Sequence, residues 1–360
     1  MKAMFTTMIA AYICGNLYIF IRAWQTLSSL SIGWKLLFLL VYWLVAFALV
    51  ISLFFRHVEI PEFLSQGMFS IGSTWLVFTL YMVIFLLATD LARLFLPGLK
   101  PFGFYIALGI TTSLLVYGYF KYKNPDVNHL NITLEKPIAG KPMKVVAISD
   151  VHLGNGTRKS QLQKFVRMIN AQEPDLIVIG GDLIDNSLIP VCQQKMHEEL
   201  SMLKAPMGIF MVLGNHEYIS GMEECERFLK DTPIRLLRDT IVTLPNGLQL
   251  IGRDDRSNRR RTPIAELMKQ ADTGKPTFLL DHQPYELAKK DSLGIDIQFS
   301  GHTHRGQVWP MSLFVDNMYE QTHGYRQWSH SHVYVSSGLS LWGPPFRIGT
   351  DSEMTVMVIQ

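Results

Sequence analysis

Cysteine is scarce in this chain. Cys14, Cys192 and Cys225 are the only three in 360 residues, too few for a disulfide framework or a cysteine-built structural zinc site. Cys14 falls in an apolar stretch, and the other two read as packing residues. A strong charge of one sign is missing too. The 33 Lys and Arg against 30 Asp and Glu leave a formal net charge of +3, no electrostatic footprint for nucleic acid. There is no internal repeat and no low-complexity tract, so nothing suggests a repeat array.

What is abundant is apolar surface, and it is unevenly spread. The chain is 48% hydrophobic, and residues up to about 123 carry most of the excess. Four runs near the ~20 residues that a bilayer core requires stand out at about 3–21, 34–55, 69–89 and 104–120. Arg22, Arg56, Asp90, Arg93, Lys100 and Lys121 fall between or just beyond them, Lys35 sits at the very start of the second, and Trp24, Trp34, Tyr119 and Tyr122 lie near the ends, where aromatic rings favour the interface. These features predict a transmembrane region over residues 1–123 and an integral protein of the cell (plasma or inner) membrane, with the lipid bilayer as a partner. The first run lacks a small-residue cleavage site and reads as retained. Asn16 is the one strongly polar residue well inside a span, and is expected to bond a neighbouring helix. Four spans put both ends of the chain on one side. Lys and Arg counts tie, but Lys2 before the first hairpin and Arg22 and Lys35 within it lean toward an extracytoplasmic C-terminal domain.

Residues 124–142, polar and with three prolines, read as a linker. Beyond them the rhythm changes. Short β-branched runs at 144–148, 175–179, 208–213, 276–280 and 295–300 alternate with polar loops and helical patterns such as 160–171, the signature of an α/β domain over 143–360. Later strands at 333–335 and 354–359, without helices between, predict a mixed or second sheet.

Each of the five main runs is followed by residues that can bind metal: Asp150-Val-His152, Gly181-Asp182, Gly214-Asn215-His216-Glu217, His282 and Gly301-His302-Thr-His304. Loops after the carboxyl ends of strands in open α/β sheets gather into one crevice. Two Asp, one Asn and several His make a mixed oxygen and nitrogen donor set suited to Mn, Fe or Zn. Asp182 follows two glycines, which let the backbone approach closely, and its two oxygens suit it to bridge two ions.

Together these motifs resemble the calcineurin-like metallophosphoesterase superfamily. The stretches Ser300–Gln307, Tyr334–Gly338 and Arg347–Gly349 resemble its YkuE/YaeI-like branch. The likeness covers roughly residues 142–360 and leaves the apolar half outside. It implies a two-sheet sandwich flanked by helices, here preceded by a four-helix transmembrane region. It also implies two divalent metal ions. Asp150, His152, Asp182 and His304 would hold one, and Asp182, Asn215, His282 and His302 the other, with His216 as general acid or donor to a phosphate oxygen. The implied reaction is hydrolysis of a phosphate or pyrophosphate ester by a hydroxide held between the ions. Arg305 departs from the branch, where many relatives carry Gly. Arg305, Arg253 and Arg256 are candidate substrate contacts, and Asp185, Glu217 and Asp281 candidates to orient imidazoles.

A membrane-tethered site favours a lipid or cell-envelope precursor as the phosphorylated substrate. The apolar loop Trp309–Phe314, directly after the His pair, is either core or a surface for lipid. A soluble-ester phosphodiesterase, a non-catalytic membrane scaffold and a transporter are the other classes. Complete ligand positions count against the scaffold, and the lack of buried charge in the spans counts against the transporter.

Overall fold

The computed structural model describes residues 2–360. They divide into two compact units, one running to Phe120 with Gly343–Phe346 added, the other Lys121–Trp342 with Arg347–Gln360. In chain order the helices are α1 (Lys2–Thr26), α2 (Ile32–Phe54), α3 (Glu62–Ala92), α4 (Gly103–Lys123), α5 (Lys159–Asn170), α6 (Ile189–Gln193), α7 (Met196–Leu200), α8 (Asn215–Ser220), α9 (Met222–Leu229), α10 (Ile264–Met268), α11 (Leu287–Ser292) and α12 (Met311–Val315). The strands are β1 (Asp126–Ile132), β2 (Met143–Ile148), β3 (Leu176–Ile179), β4 (Ile209–Met211), β5 (Ile234–Leu236), β6 (Thr240–Thr243), β7 (Gln249–Gly252), β8 (Thr277–Leu280), β9 (Ile297–Ser300), β10 (Gly324–Gln327), β11 (His332–Val335) and β12 (Glu353–Ile359).

Two six-stranded sheets build the second unit, in the orders β1-β12-β2-β3-β4-β5 and β10-β11-β9-β8-β7-β6. The period-2 alternation of strand side chains decides what each sheet buries. Val145 and Ala147 of β2 and Leu176 and Val178 of β3 face the second sheet, meeting Phe278, Leu280, Ile297 and Phe299 in a shared core. Their neighbours Val146, Ile148, Ile177 and Ile179 point the other way, under Leu162, Phe165, Val166 and Ile169 of α5. On the far side of the second sheet, Ile251 and Leu279 pack with Ile264 and Leu267 of α10. This is the expected two-sheet sandwich flanked by helices.

Strands β2, β3 and β4 run parallel, as do β7, β8, β9 and β11. The loops after β2, β3, β4, β8 and β9 carry the five motifs.

The stretch expected as a connector is only partly one. Asp126–Ile132 forms β1, which pairs parallel with β12 from Asp126↔Glu353 to Ile132↔Ile359. Its polar sequence hid it: an edge strand is solvated along one side and needs little apolar alternation.

In the first unit, α1 to α4 are long and apolar enough to cross a membrane. α3 starts seven residues before the expected run. Its polar first turns continue the helix, with Gln66 Nε2 donating to Glu62 Oε1 at 2.5 Å, and apolarity marks only the stretch that suits a bilayer. Asn16 is buried. Its Oδ1 accepts from Trp75 Nε1 at 2.8 Å and Tyr42 OH at 3.2 Å, joining three helices as its position predicted. At one end of the bundle Asp90 takes Arg22 at 2.9 Å, Arg93 at 3.3 Å and the Tyr18 hydroxyl at 2.5 Å.

Small residues let transmembrane helices approach closely, and Gly72 does this between α3 and α2: a methyl there would overlap the Leu49 backbone nitrogen. Gly72→Leu should force the helices apart and cost about 1–3 kcal/mol, as overpacking does. The check is thermal unfolding of the full chain in detergent, where an unchanged midpoint would contradict this packing.

Candidate metal centre

Seven side chains from five loops converge. Asp150, His152, Asp182, His282 and His304 are almost fully buried, at 0–4% exposure. Their donor atoms form three overlapping groups able to hold a metal ion: Asp150, His152 and His304; His152, Asp182 and His216; and Asp182, His282 and His302. His152 Nε2 lies 3.1 Å from His304 Nε2, and Asp150 Oδ1 is 3.3 Å from the latter. Asp182 Oδ2 is 3.2 Å from His282 Nε2 and 3.8 Å from His152 Nε2. Asn215 Oδ1 is 3.3 Å from His282 Nε2. All the expected ligand positions are thus in one place, with Asp182 in two groups.

The backbone reaches this arrangement through conformations that side chains usually avoid. Asp150, His152, Asp182, His302 and His304 have φ of 55°, 49°, 52°, 72° and 47°. Such positions cost of order 1–3 kcal/mol each and persist only where their surroundings enforce them. The surroundings are interlocked. The His302 amide donates to both oxygens of Asp150 at 3.1 Å, and the His216 amide donates to Asp182 Oδ1 at 2.8 Å. The motif glycines are required by contact: a methyl at Gly214 would overlap the Asp182 carboxylate, and one at Gly301 the Asp150 carboxylate.

The imidazoles are oriented from behind. His282 Nδ1 donates to Gly180 O at 2.8 Å, which turns Nε2 toward Asp182. Asp185 Oδ1 lies 3.1 Å from His216 Nδ1 and 3.4 Å from His152 Nδ1, which places its charge behind both rings. Glu217 turns away from the imidazoles. Its carboxylate accepts from the amides of Gly214 at 2.7 Å, Ile184 at 2.9 Å and Asp182 at 3.0 Å, tying the β3 loop to the β4 loop.

The charges within the cluster compensate one another. Burial would lower the His152 pKa, but Asp150 and Asp185 outweigh it and raise it to about 10. His282 is likewise pushed up by Asp182 against the effect of burial. Burial and protonated His282 push His302 down to about 4. Burial, together with the charge on His152, holds His304 well down even though Asp150 opposes this. Asp150 and Asp182 stay well below the usual carboxylate range because these imidazoles outweigh burial. Positive charge is therefore demanded where the donor atoms converge. Protons on His152 and His282 meet that demand in the metal-free chain, and divalent ions fit it in their place, with release of those protons.

Two further expectations are corrected. Arg253 is 5% exposed and its guanidinium is 3.1 Å from Asp281, so it is not open to substrate. Asp281 orients no imidazole: it takes Arg253, Arg261 at 3.2 Å and Lys290 at 2.7 Å in a buried ion cluster. Arg256 is exposed and lies over the Tyr285 ring at 4.0 Å. Arg305 is half-buried at the turn of His304.

One residue of consequence was not singled out for a role. Arg347 is fully buried, and its guanidinium donates to the carbonyls of His304 at 2.8 Å, Gly338 at 3.3 Å and Ser340 at 3.1 Å, and to that of Ser337. Burial lowers its pKa to about 10, still charged at neutral pH. It holds the His304 turn and the Ser337–Ser340 turn together. Its only signal was its place in the Arg347-Ile-Gly349 run.

Comparison with known proteins agrees with this geometry. Residues 143–306 match the family model described as calcineurin-like phosphoesterase. The chain is 35% identical over 277 residues to an uncharacterised metallophosphoesterase of Helicobacter pylori, covering 73% of each chain. A metallophosphoesterase of Campylobacter jejuni is 29% identical over 360 residues, 95% of this chain and 94% of that one. A transmembrane protein with metallophosphoesterase domain from Danio rerio is 32% identical over 71% of this chain and 62% of its own length.

Glu217→Gln should leave one backbone amide facing an amide NH₂ and cost about 1–3 kcal/mol. Arg347→Ala, which strips several buried carbonyls of a charged donor, should cost about 3 kcal/mol or more. Chemical denaturation of the two variants, with metal content measured alongside, checks both. Wild-type stability in either would refute the tie assigned to that residue.

Proposed function

We propose, for a chain that belongs to the calcineurin-like metallophosphoesterase family and is a metal-dependent hydrolase of phosphoric esters, that it is a membrane-anchored enzyme with a binuclear centre whose substrate is a lipid or envelope phosphoester. The observation that carries this is Asp182, a buried carboxylate shared by two ligand groups, as a bridging ligand must be. Asp150, His152, Asp182 and His304 hold one ion in this reading, and Asp182, Asn215, His282 and His302 the other. Divalent Mn, Fe or Zn bound there supplies a nucleophile from water at neutral pH and offsets charge on the phosphoryl oxygens.

The chain's own residues do the rest. Asp150 and Asp182 carry the only two full negative charges among the ligands, so the loaded site has a net charge of about +2 and attracts an anionic phosphate. Asp185 lies behind His216 Nδ1, and in this reading His216 gives a proton to the leaving oxygen. Arg305, half-buried and next to His304 in the chain, supplies a cation for the phosphate in this reading. The lipid assignment is supported by the four apolar helices and by the likeness to a relative named as a transmembrane protein. The charge pattern of the first hairpin favours an extracytoplasmic site at the plasma or inner membrane. No nucleic-acid partner is proposed.

A second reading of His216 has its own observation: its ring nitrogen joins the group with His152 and Asp182, as a ligand's would. The variants separate the two. Asp182→Ala should lose metal, and turnover of bis(4-nitrophenyl) phosphate should fall by about a hundredfold or more. His216→Ala should keep both ions by elemental analysis and lose about 10²–10⁴ in kcat, most with poor leaving groups. Loss of an ion from His216→Ala makes it a ligand, and full turnover by Asp182→Ala ends the binuclear reading.

A further inference from the structure

We infer that an apolar ledge beside the metal-ligand cluster, made by Trp309, Met311, Leu313, Phe314 and Met318, holds the hydrocarbon tail of a lipid phosphoester whose phosphate lies at the cluster. The inference rests on the lipid reading above and deepens it.

These five side chains are 47%, 37%, 55%, 63% and 58% exposed. They fall within ten residues. Only Met202, Ile219, Tyr325 and Trp342 are comparably exposed large apolar side chains in the rest of the second unit, among the described residues. Scattered single residues of that kind are ordinary, but a concentrated patch marks a contact for something apolar. The loop is therefore surface and not core, which settles one of the two sequence readings of Trp309–Phe314.

The ledge is fixed to the catalytic turn at several points. A methyl at Gly306 would lie 2.5 Å from Ser312 N, so the start of α12 sits directly on the turn that bears His304. Thr303 Oγ1 donates to Thr322 O at 2.6 Å, beyond the far end of α12. Trp309 N donates to Ile348 O at 2.8 Å. The Tyr319 ring stands 6.3 Å from that of His302. Along the chain the order is the ligand position His304, the Arg305 cation and then the apolar residues. An amphiphile has the same order: an anionic phosphate, then hydrocarbon. A short soluble ester would meet the cluster and leave the ledge in water.

The test uses the full metal-loaded chain in lipid nanodiscs and a series of 4-nitrophenyl alkyl phosphates from butyl to octyl, below their micelle-forming concentrations. In the wild type kcat/KM should rise by roughly two- to fourfold per methylene. In the double variant Leu313→Ser, Phe314→Ser that dependence should flatten, with the butyl ester cleaved at the wild-type rate. Binding is read separately by calorimetry: octyl phosphate should bind more tightly than butyl phosphate to the wild type and equally to the variant. The same chain-length dependence in both proteins overturns the ledge and leaves the lipid reading standing. A flat series in the wild type overturns both. Loss of butyl-ester turnover in the double variant makes the two residues part of the site's own architecture and also overturns the ledge.

Discussion

Two carboxylates buried among imidazoles set the conditions for everything around them. Asp150 and Asp182 are 0% and 1% exposed, and an ionised carboxylate without compensation in such a place would be prohibitively costly. Compensation comes from His152, His282 and backbone amides, and the same demand for positive charge is what divalent ions answer. The cluster is thus built for cations first, and chemistry on an anionic ester follows from the excess charge those cations bring.

Holding the cluster requires more than its own residues. Five of its members sit at positive φ, so the loops would relax if left alone. Glu217 beneath the β3 and β4 loops and Arg347 beneath the His304 and Ser337–Ser340 turns supply the counterforce, each a buried side chain hydrogen-bonded to several backbone groups. The sandwich supplies the rest. Parallel strands from both sheets end at the same edge, so five loops from distant parts of the chain can touch.

The apolar half places this hydrolase in a membrane context, and the α12 segment gives the globular unit an apolar surface of its own. The exposed side chains Leu313 and Phe314 follow closely on the turn that carries His304, the arrangement on which the proposed amphiphilic substrate rests.

Much of this was legible in the sequence by itself. Hydrophobic runs gave four helices and the main strands, since burial in a bilayer or between two sheets leaves a local pattern of 20 apolar residues or of alternation. The residues that gather in the cluster were legible as well, because metal chemistry demands particular side chains at strand ends. Edge strand β1 was not, since half its surface is solvated. Nor were the fates of Arg253 and Asp281, which from sequence looked available to substrate and imidazoles and are instead paired with each other. Which partner a charge finds, which glycine faces a carboxylate, and whether Trp309–Phe314 is core or surface depend on residues far away in the chain. Only the packing of the two sheets decided them, because a charge's partner is whatever the fold brings within about 4 Å, and nothing in its sequence neighbours encodes that.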